Sequence, residues 1–363
     1  MPFIASVASS LPPVSLSQTR VRELMEEHYR TILKPRSLDA LSKMLSHESI
    51  ETRHFAFDTD SDLVKLKGED QDCRMDRFLR WAVRLAKEAA QKSIDRAGVT
   101  PADIDAVFVN TCTGYVCPGI STYLIGELGL RRDIQCVDLV GSGCGGAVPC
   151  IAAASDSVSS NGYKTALAIS VEISSATFEM GDDMSLLVSN CIFGDGAAAV
   201  LVSAEKGLLK IDKRESSFIP ENRDDVRFIY KNGRLHNRLA VALPKIVGEV
   251  VPPLVYRLLD KAGMAKRDIA HWAIHPGGAK MLDELQRNLE LSGTDLIPAR
   301  EVLRCCGNMS SPTALFELEK TLYENGGLHG NVALIAYGAG MSVHGLILKK
   351  SISSETESCF SPR

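Results

Sequence analysis

The feature that most constrains the fold is a weak internal repeat with an offset of 165 residues. Residues 97–110 and residues 262–275 both contain Ala-Gly at an expected helix end, then Asp-Ile, then an apolar run, and they align without a gap. A candidate helix, an expected strand and a polar turn follow each segment. The turn contains Gly143-Cys144 in the first case and Gly307-Asn308 in the second. The chain therefore carries a duplicated α/β unit.

The repeat predicts two halves rather than an array of many units. Asn161-Gly162 and Asn325-Gly326 each precede a further apolar run, as expected if the second half copies the first. Strands that alternate with helical patterns are typical of α/β folds. We expect residues 1–205 to form the half with the cysteine, and residues 206–363 to form the other half.

Three further segments have distinct patterns. Residues 1–20, rich in proline and serine, are predicted to form an irregular arm. Residues 74–97 have apolar side chains at helical spacing, and Gly98 is a suitable helix end. Residues 204–240 are more charged and are predicted to be an insertion on the surface or over a cleft.

One cysteine occupies the polar turn of the first half. The apolar run 136–140 predicts a strand, and the small residues 151–154 predict a buried helix beyond the turn. A helix N-terminus favours negative charge and lowers the pKa of a thiol. We therefore expect Cys144 to be a nucleophilic thiolate, with the glycines around it leaving room for a thioester. Taken alone, a cysteine in a glycine turn is more often a packing residue.

Two polar residues of the second half fall at expected strand ends. His275 precedes Pro-Gly-Gly, and Asn308 precedes an apolar helix pattern. Alone, they would be assigned as a structural histidine and a turn or cap residue. A duplicated fold brings equivalent strand ends together, so Cys144, His275 and Asn308 are expected to share one site. A thiolate paired with histidine, and N–H groups that hold an oxyanion, are typical of acyl transfer.

The same glycine turn also supports a competing hypothesis. Gly141, Gly143 and Gly146 have the spacing of a dinucleotide-binding loop, and Glu172 ends the next strand. A nicotinamide-dependent oxidoreductase explains neither the cysteine in the loop nor His275, so we rank it lower. A non-catalytic scaffold is a third hypothesis. No paired C-x-x-C element is present, and no metal site is predicted.

The composition is that of an ordinary globular protein. Hydrophobic residues make up 45% of the chain, charged residues 24%, and the formal net charge is −4. Without a basic block, nucleic acid is not an expected partner. The N-terminus lacks the pattern of a signal peptide, and no apolar run is long enough for a membrane span. We therefore expect a cytoplasmic protein whose ten cysteines are mostly free thiols.

With these residues assigned, the chain resembles the type III polyketide synthases, the chalcone synthase-like branch of the thiolase superfamily. The resemblance covers nearly the whole chain, and the length is similar to that of bacterial or fungal members. It implies an α/β fold with five αβαβα layers, and a homodimer. The motifs that carry it are Gly143-Cys144-Gly145-Gly146, Phe193-Gly194-Asp195-Gly196, His275-Pro276-Gly277-Gly278 and Gly307-Asn308-Met309-Ser310-Ser311.

The resemblance also implies a mechanism without a metal or redox cofactor. Cys144 attacks an acyl-CoA thioester, and malonyl-CoA then loses carbon dioxide while His275 and Asn308 hold its enolate oxygen. The carbanion attacks the cysteine-bound acyl group in a Claisen condensation. Phe193 matches a gatekeeper between the CoA tunnel and the cavity, and Arg53 lies where the family uses basic residues to bind CoA phosphate.

Other positions match residues that line the family's substrate cavity, and several are small, which predicts space for an aliphatic acyl chain. The expected starter is a fatty or β-ketoacyl group, and the expected product an α-pyrone or a resorcinol. One alternative joins two β-ketoacyl chains, with an acyl carrier protein as a partner. Another is a single condensation like that of ketoacyl-carrier-protein synthase III. The matched positions are Thr113, Cys117, Thr177, Ser189 and Cys191.

One segment departs from the family pattern. Plant members have a Gly-Phe-Gly-Pro-Gly turn near the C-terminus, whereas this chain has Ala336-Tyr337-Gly338-Ala339-Gly340. The resemblance therefore implies nothing about how the product cyclises.

Overall fold

The computed structural model describes residues 1–324 and 327–351. The predicted Asn325-Gly326 turn lies outside the described residues. Within this part of the chain, no helix combines the length and apolar character needed to cross a bilayer.

The secondary structure alternates between strands and helices for most of its length. The strands are β1 (Phe3–Ser10), β2 (Val14–Ser17), β3 (Thr52–Phe55), β4 (Ala106–Asn110), β5 (Gln135–Leu139), β6 (Thr165–Ile173), β7 (Asp195–Ser203), β8 (Leu209–Phe218), β9 (Val226–Lys231), β10 (Arg234–Leu239), β11 (Ile269–Ile274), β12 (Asn331–Gly338) and β13 (Ser342–Lys350). The helices are α1 (Gln18–Tyr29), α2 (Pro35–Leu45), α3 (Asp62–Lys65), α4 (Gln71–Ala97), α5 (Ile120–Glu127), α6 (Ala147–Ser160), α7 (Met184–Ile192), α8 (Leu243–Ala262), α9 (Ala279–Asn288), α10 (Ile297–Cys306) and α11 (Thr313–Tyr323).

Nine strands form one sheet in the order β11-β12-β13-β8-β1-β7-β6-β4-β5. Strands β4 and β6 are parallel, and β7 and β1 follow as antiparallel neighbours. In the other half, β11 and β12 are parallel, and β13 and β8 follow in the same antiparallel sense. Strands β4, β6, β7 and β1 thus match β11, β12, β13 and β8 in order and direction, while β5 lies beyond β4 at the edge. A short β1–β8 pairing joins the halves. The predicted boundary between residues 205 and 206 falls between β7 and β8.

Helices cover both faces of each half-sheet and fill the space between them. Helix α4 packs on β1, β6 and β7, and α8 packs on β8, β12 and β13. Between the half-sheets, α6 contacts β6 and β12, and α11 contacts β7 and β11. Strands β6 and β7 are buried on both faces and therefore have nearly continuous apolar sequences. These layers form the expected five-layer αβαβα fold.

Helix α4 shows how local sequence fixes an outer layer. The Asp70 side chain accepts a hydrogen bond from the backbone N–H of Cys73, which caps the first turn. Gly98 ends the helix at φ 67°, a left-handed conformation that favours glycine. The buried side chains Phe78 and Leu85 lie on the face that meets the sheet. The observed helix begins three residues before the predicted one.

Three predictions about local structure are wrong in part. The N-terminal arm is not irregular, because β1 lies between β7 and β8 with half or more of its residues buried. Part of the predicted insertion is β8, a central strand, and only the β9–β10 hairpin lies outside the sheet. The strand expected before Gly307 is the helix α10.

In the hairpin, Asn232 and Gly233 both have positive φ, the turn that Asn-Gly favours.

Candidate active site

Cys144 lies where a strand passes into a helix, as expected. After β5, Gly141 turns the chain at φ 91°, and a short 3₁₀ turn over Gly143–Gly145 leads into α6. Burial nevertheless raises the pKa of the Cys144 thiol to about 11, although hydrogen bonds from the Ser310 and Asn308 side chains oppose the rise. Burial therefore opposes the predicted resting thiolate, which stays a prediction.

Three glycines of this turn lie close to neighbouring protein atoms. A Cβ on Gly143 would lie 3.1 Å from the Ala339 Cβ, and one on Gly145 would lie 3.3 Å from the Gly338 backbone nitrogen. A Cβ on Gly146 would collide with the Asn110 side chain. Gly143 also lines the cavity beside Cys144, and a Cβ on Gly141 would meet no atom within 4 Å, so room for a thioester at this turn stays a prediction.

His275 directly follows β11 and is 1% exposed. Its backbone N–H donates to the Ile335 carbonyl at 2.9 Å, which extends the β11–β12 pairing by one residue. Burial lowers the pKa of His275 to about 3, so the imidazole is neutral at physiological pH. Its Nδ1 is enclosed and has no hydrogen-bond partner among the described residues. This leaves Nε2 as the nitrogen that a substrate can reach.

Asn308 follows α10 and is held by both atoms of its amide. Gly307 turns the chain at φ 71°, and the Asn308 backbone N–H donates to the Ile192 carbonyl at 2.9 Å. The side-chain Oδ1 accepts from the Ser310 N–H at 2.7 Å, and Nδ2 donates to the Gly277 carbonyl at 3.1 Å. One amide N–H is thus committed to the turn after His275, and the orientation of the other is fixed.

Cys144, His275 and Asn308 line one cavity of about 720 Å³. Its wall also contains three of the residues expected in a substrate cavity: Thr113, Thr177 and Phe193. Most of the surface is apolar, because the hairpin and α8 supply carbon-rich side chains. These are Val226, Phe228, Leu239, Leu243 and Val247. The predicted position of residues 204–240 over a cleft therefore holds for the hairpin.

Arg53 does not have the role expected of it. Its side chain is 1% exposed, with Nε donating to Gln18 Oε1 at 2.9 Å. Its Nη1 donates to the backbone carbonyls of Asn190 at 2.9 Å and Phe193 at 2.7 Å. The predicted contact with a CoA phosphate is wrong because the guanidinium is enclosed. Arg53 instead ties β3 to the end of α7 and so positions Phe193.

Three other expected cavity residues lie outside this cavity. Cys117 is exposed, and Cys191 is buried in an apolar cluster beneath α1 and α2. Ser189 borders a separate cavity of about 420 Å³, where its hydroxyl donates to the Ser185 carbonyl at 2.7 Å. Phe193 and Thr177 form part of the wall of both cavities. On α7, Ser189 thus faces the second cavity, and Cys191 packs in the apolar cluster.

Several site residues were not predicted. Cys112 and Ser310 line the cavity beside Cys144, and Ser310 has φ 61°, a strained conformation for serine. Glu172, which was considered above only within the dinucleotide-binding hypothesis, is fully buried and accepts hydrogen bonds from Cys112 and Thr113. A glutamate at the end of an apolar strand was the available signal. The hydrogen bonds that Glu172 accepts come from within the protein, which removes the dinucleotide-binding hypothesis.

A five-layer fold with cysteine, histidine and asparagine on one cavity is typical of thiolase-like condensing enzymes. Comparison with known families identifies FAE1/type III polyketide synthase-like protein over residues 37–217. It also identifies the C-terminal domain of chalcone and stilbene synthases over residues 210–353. The chain therefore belongs to the type III polyketide synthase family.

Individual relatives agree with this assignment. The chain is 31% identical to a 3,5-dihydroxyphenylacetyl-CoA synthase of Streptomyces toyocaensis, covering 89% of this chain and 83% of that protein. It is 26% identical to an alpha-pyrone synthesis polyketide synthase-like protein of Mycobacterium tuberculosis, covering 95% and 90%. The solved 1,3,6,8-tetrahydroxynaphthalene synthase of Streptomyces coelicolor superposes with a TM-score of 0.88 at 22% identity, covering 96% and 99%. The last comparison supports the fold alone.

Proposed function

We propose that this polyketide synthase condenses an aliphatic acyl-CoA starter with malonyl-CoA and releases an α-pyrone or a resorcinol. The observation that carries the proposal is the meeting of Cys144, His275 and Asn308 on one apolar cavity. A cavity with carbon-rich walls favours an alkyl chain over a charged one. The alpha-pyrone synthesis named for the mycobacterial relative supports the first product.

In the first step, Cys144 becomes acylated. Because its pKa is raised to about 11 and that of His275 is lowered to about 3, both groups are neutral before substrate enters. The neutral imidazole takes the thiol proton as the sulfur attacks the thioester carbonyl. A carbon–sulfur bond forms to Cys144, the bond to CoA breaks, and CoA leaves as its thiolate. The proton stays on His275.

In the second step, malonyl-CoA loses carbon dioxide. The bond between its methylene carbon and its carboxylate breaks, and the electron pair moves into an enolate. Protonated His275 and the Asn308 amide donate to the enolate oxygen, where the charge develops. The enolate carbon attacks the acyl carbonyl on Cys144 and forms the new carbon–carbon bond. The Cys144 thiolate leaves and recovers its proton from His275, so both groups return to their resting states.

Further rounds lengthen the chain, and cyclisation releases it. For an α-pyrone, the enol oxygen of a triketide attacks its own thioester carbonyl. A carbon–oxygen bond forms, the carbon–sulfur bond breaks, and the enol proton passes to the leaving thiolate. We also propose a homodimer, and the use of a carrier-protein thioester in place of one CoA thioester. Comparing octanoyl-CoA with octanoyl-carrier protein as starters distinguishes these two donors.

Acylation of the intact protein tests the proposal. After incubation with octanoyl-CoA, intact mass spectrometry is expected to show one added octanoyl group on the wild type and none on Cys144→Ala. Radiolabelled malonyl-CoA is expected to release carbon dioxide with the wild type. In Cys144→Ala, the loss of octanoylation should be essentially complete, because no other group in the mechanism replaces the nucleophile.

A matched control uses a cysteine outside the cavity. Cys73 is exposed near the start of α4, and Cys73→Ala should be acylated as the wild type is. An octanoyl adduct that persists on Cys144→Ala, located to another residue by peptide mapping, contradicts the proposal.

A further inference from the structure

Tyr337 places a phenol beside the three proposed catalytic residues. It is the penultimate residue of β12, is 3% exposed, and forms part of the wall of the catalytic cavity. Its ring meets the His275 ring edge-on, with 5.3 Å between centroids. Packing against a buried imidazole fixes the ring, so the hydroxyl occupies a defined position.

The hydroxyl proton of Tyr337 has only a weak acceptor. It points to the Met281 Sδ at 3.8 Å, and a thioether sulfur accepts hydrogen bonds poorly. Burial raises the pKa of Tyr337 well above its usual range, so the phenol keeps its proton and is a donor at neutral pH. When a charged oxygen enters the site, a strong donor that had only a weak acceptor forms a stronger hydrogen bond, which stabilises the charge.

The turn that follows His275 brings this phenol close to Asn308. Gly277 lacks a side chain, and a Cβ there would lie 3.2 Å from the Tyr337 Oη. The carbonyl of the same glycine accepts the Asn308 Nδ2 hydrogen bond at 3.1 Å. The phenol, the amide and the imidazole therefore surround one short segment of backbone at the edge of the cavity.

We infer that Tyr337 is a further catalytic residue, whose O–H leaves Met281 and donates to the thioester oxygen of malonyl-CoA during decarboxylation. This inference rests on the proposed function. As the carbon–carbon bond to the carboxylate breaks, its electron pair moves onto the enolate, and the phenol donates to the enolate oxygen beside His275 and Asn308. Tyr337 keeps its proton throughout. A donor aimed at an oxygen that gains charge lowers the barrier of that step.

The variant Tyr337→Phe tests the inference, because it removes the oxygen and keeps the ring against His275. With Cys144 already octanoylated, the rate of carbon dioxide release from malonyl-CoA is expected to fall by about 10- to 100-fold. The rate of octanoylation, followed by mass spectrometry, is expected to stay within about twofold, because the phenol acts in the second step. Unchanged carbon dioxide release overturns the inference, and so does equal slowing of both steps.

Two further variants separate catalysis from structure. Tyr29 is also buried, with a hydroxyl that has no partner among the described residues, and it lies in the cluster beneath α1 and α2. Tyr29→Phe should leave both rates unchanged. Met281→Leu removes the weak acceptor and should keep or raise the rate of decarboxylation. A loss with Met281→Leu as large as that with Tyr337→Phe would assign the hydroxyl a packing role. A wild type that releases no carbon dioxide contradicts the proposed function instead.

Discussion

Each half of the molecule buries a glutamate near the site, and the two are bonded very differently. Glu172, at the end of β6, accepts from the Thr113 hydroxyl at 2.8 Å and the Ser311 hydroxyl at 2.9 Å, one on each oxygen. Glu317, on α11, accepts only from the Ile274 N–H at 2.9 Å, and its Oε1 has no partner among the described residues. Both side chains have no exposed surface.

The difference shows which wall of the site is rigid. Glu172 joins the loop after β4 to Ser311 of the second half, so it fixes the cavity wall near Cys144 across the interface between halves. Burial raises the pKa of both carboxyls, but hydrogen bonds oppose the rise at Glu172 from several donors and at Glu317 from one. Hydrogen bonds therefore stabilise the charged form of Glu172 more than that of Glu317.

Replacing each glutamate with glutamine should lower the free energy of unfolding by different amounts. Glu172→Gln replaces a carboxylate that accepts several hydrogen bonds, and an amide nitrogen cannot accept those bonds. We expect the free energy of unfolding in urea to fall by about 2 to 4 kcal/mol, because bonds to a charged group are lost in a buried site. A cost below about 1 kcal/mol would contradict the view of Glu172 as a clamp.

Much of this architecture could be predicted from sequence, because the repeat indicates two similar halves and brings Cys144, His275 and Asn308 together, although Asn308 follows the helix α10 and not the predicted strand. The roles of Arg53 and Glu172 could not, since their partners lie far away in the chain. Gln18 and Phe193 meet Arg53 from different elements, and only the folded chain brings them together. The strand β1 was missed because its small and polar residues resemble a loop until two neighbours bury them.

The two glutamates should also differ, by a smaller amount, in their effect on the reactivity of Cys144. With the pKa raised to about 11, its alkylation by iodoacetamide should increase about tenfold per pH unit between pH 8 and pH 10, because only the thiolate reacts. The charge of Glu172 contributes to this raised pKa. Glu172→Gln should therefore shift the rate profile to lower pH, and Glu317→Gln should not. Quantifying the alkylated Cys144 peptide by mass spectrometry follows this thiol alone. A profile that levels off below pH 8 would show a resting thiolate.

The smallest effect is expected for Glu317→Gln. The glutamine amide retains a carbonyl oxygen for the Ile274 N–H and places its nitrogen where Oε1 has no partner among the described residues. The free energy of unfolding should change by less than about 1 kcal/mol, against several for the same change at Glu172. Glu317→Leu, which leaves the Ile274 N–H without an acceptor, should cost about 1 to 3 kcal/mol more. Urea unfolding of the three variants under one set of conditions makes the comparison. If Glu317→Gln is as destabilising as Glu172→Gln, Glu317 carries a charge in the folded protein, and the two walls of the site are equally rigid.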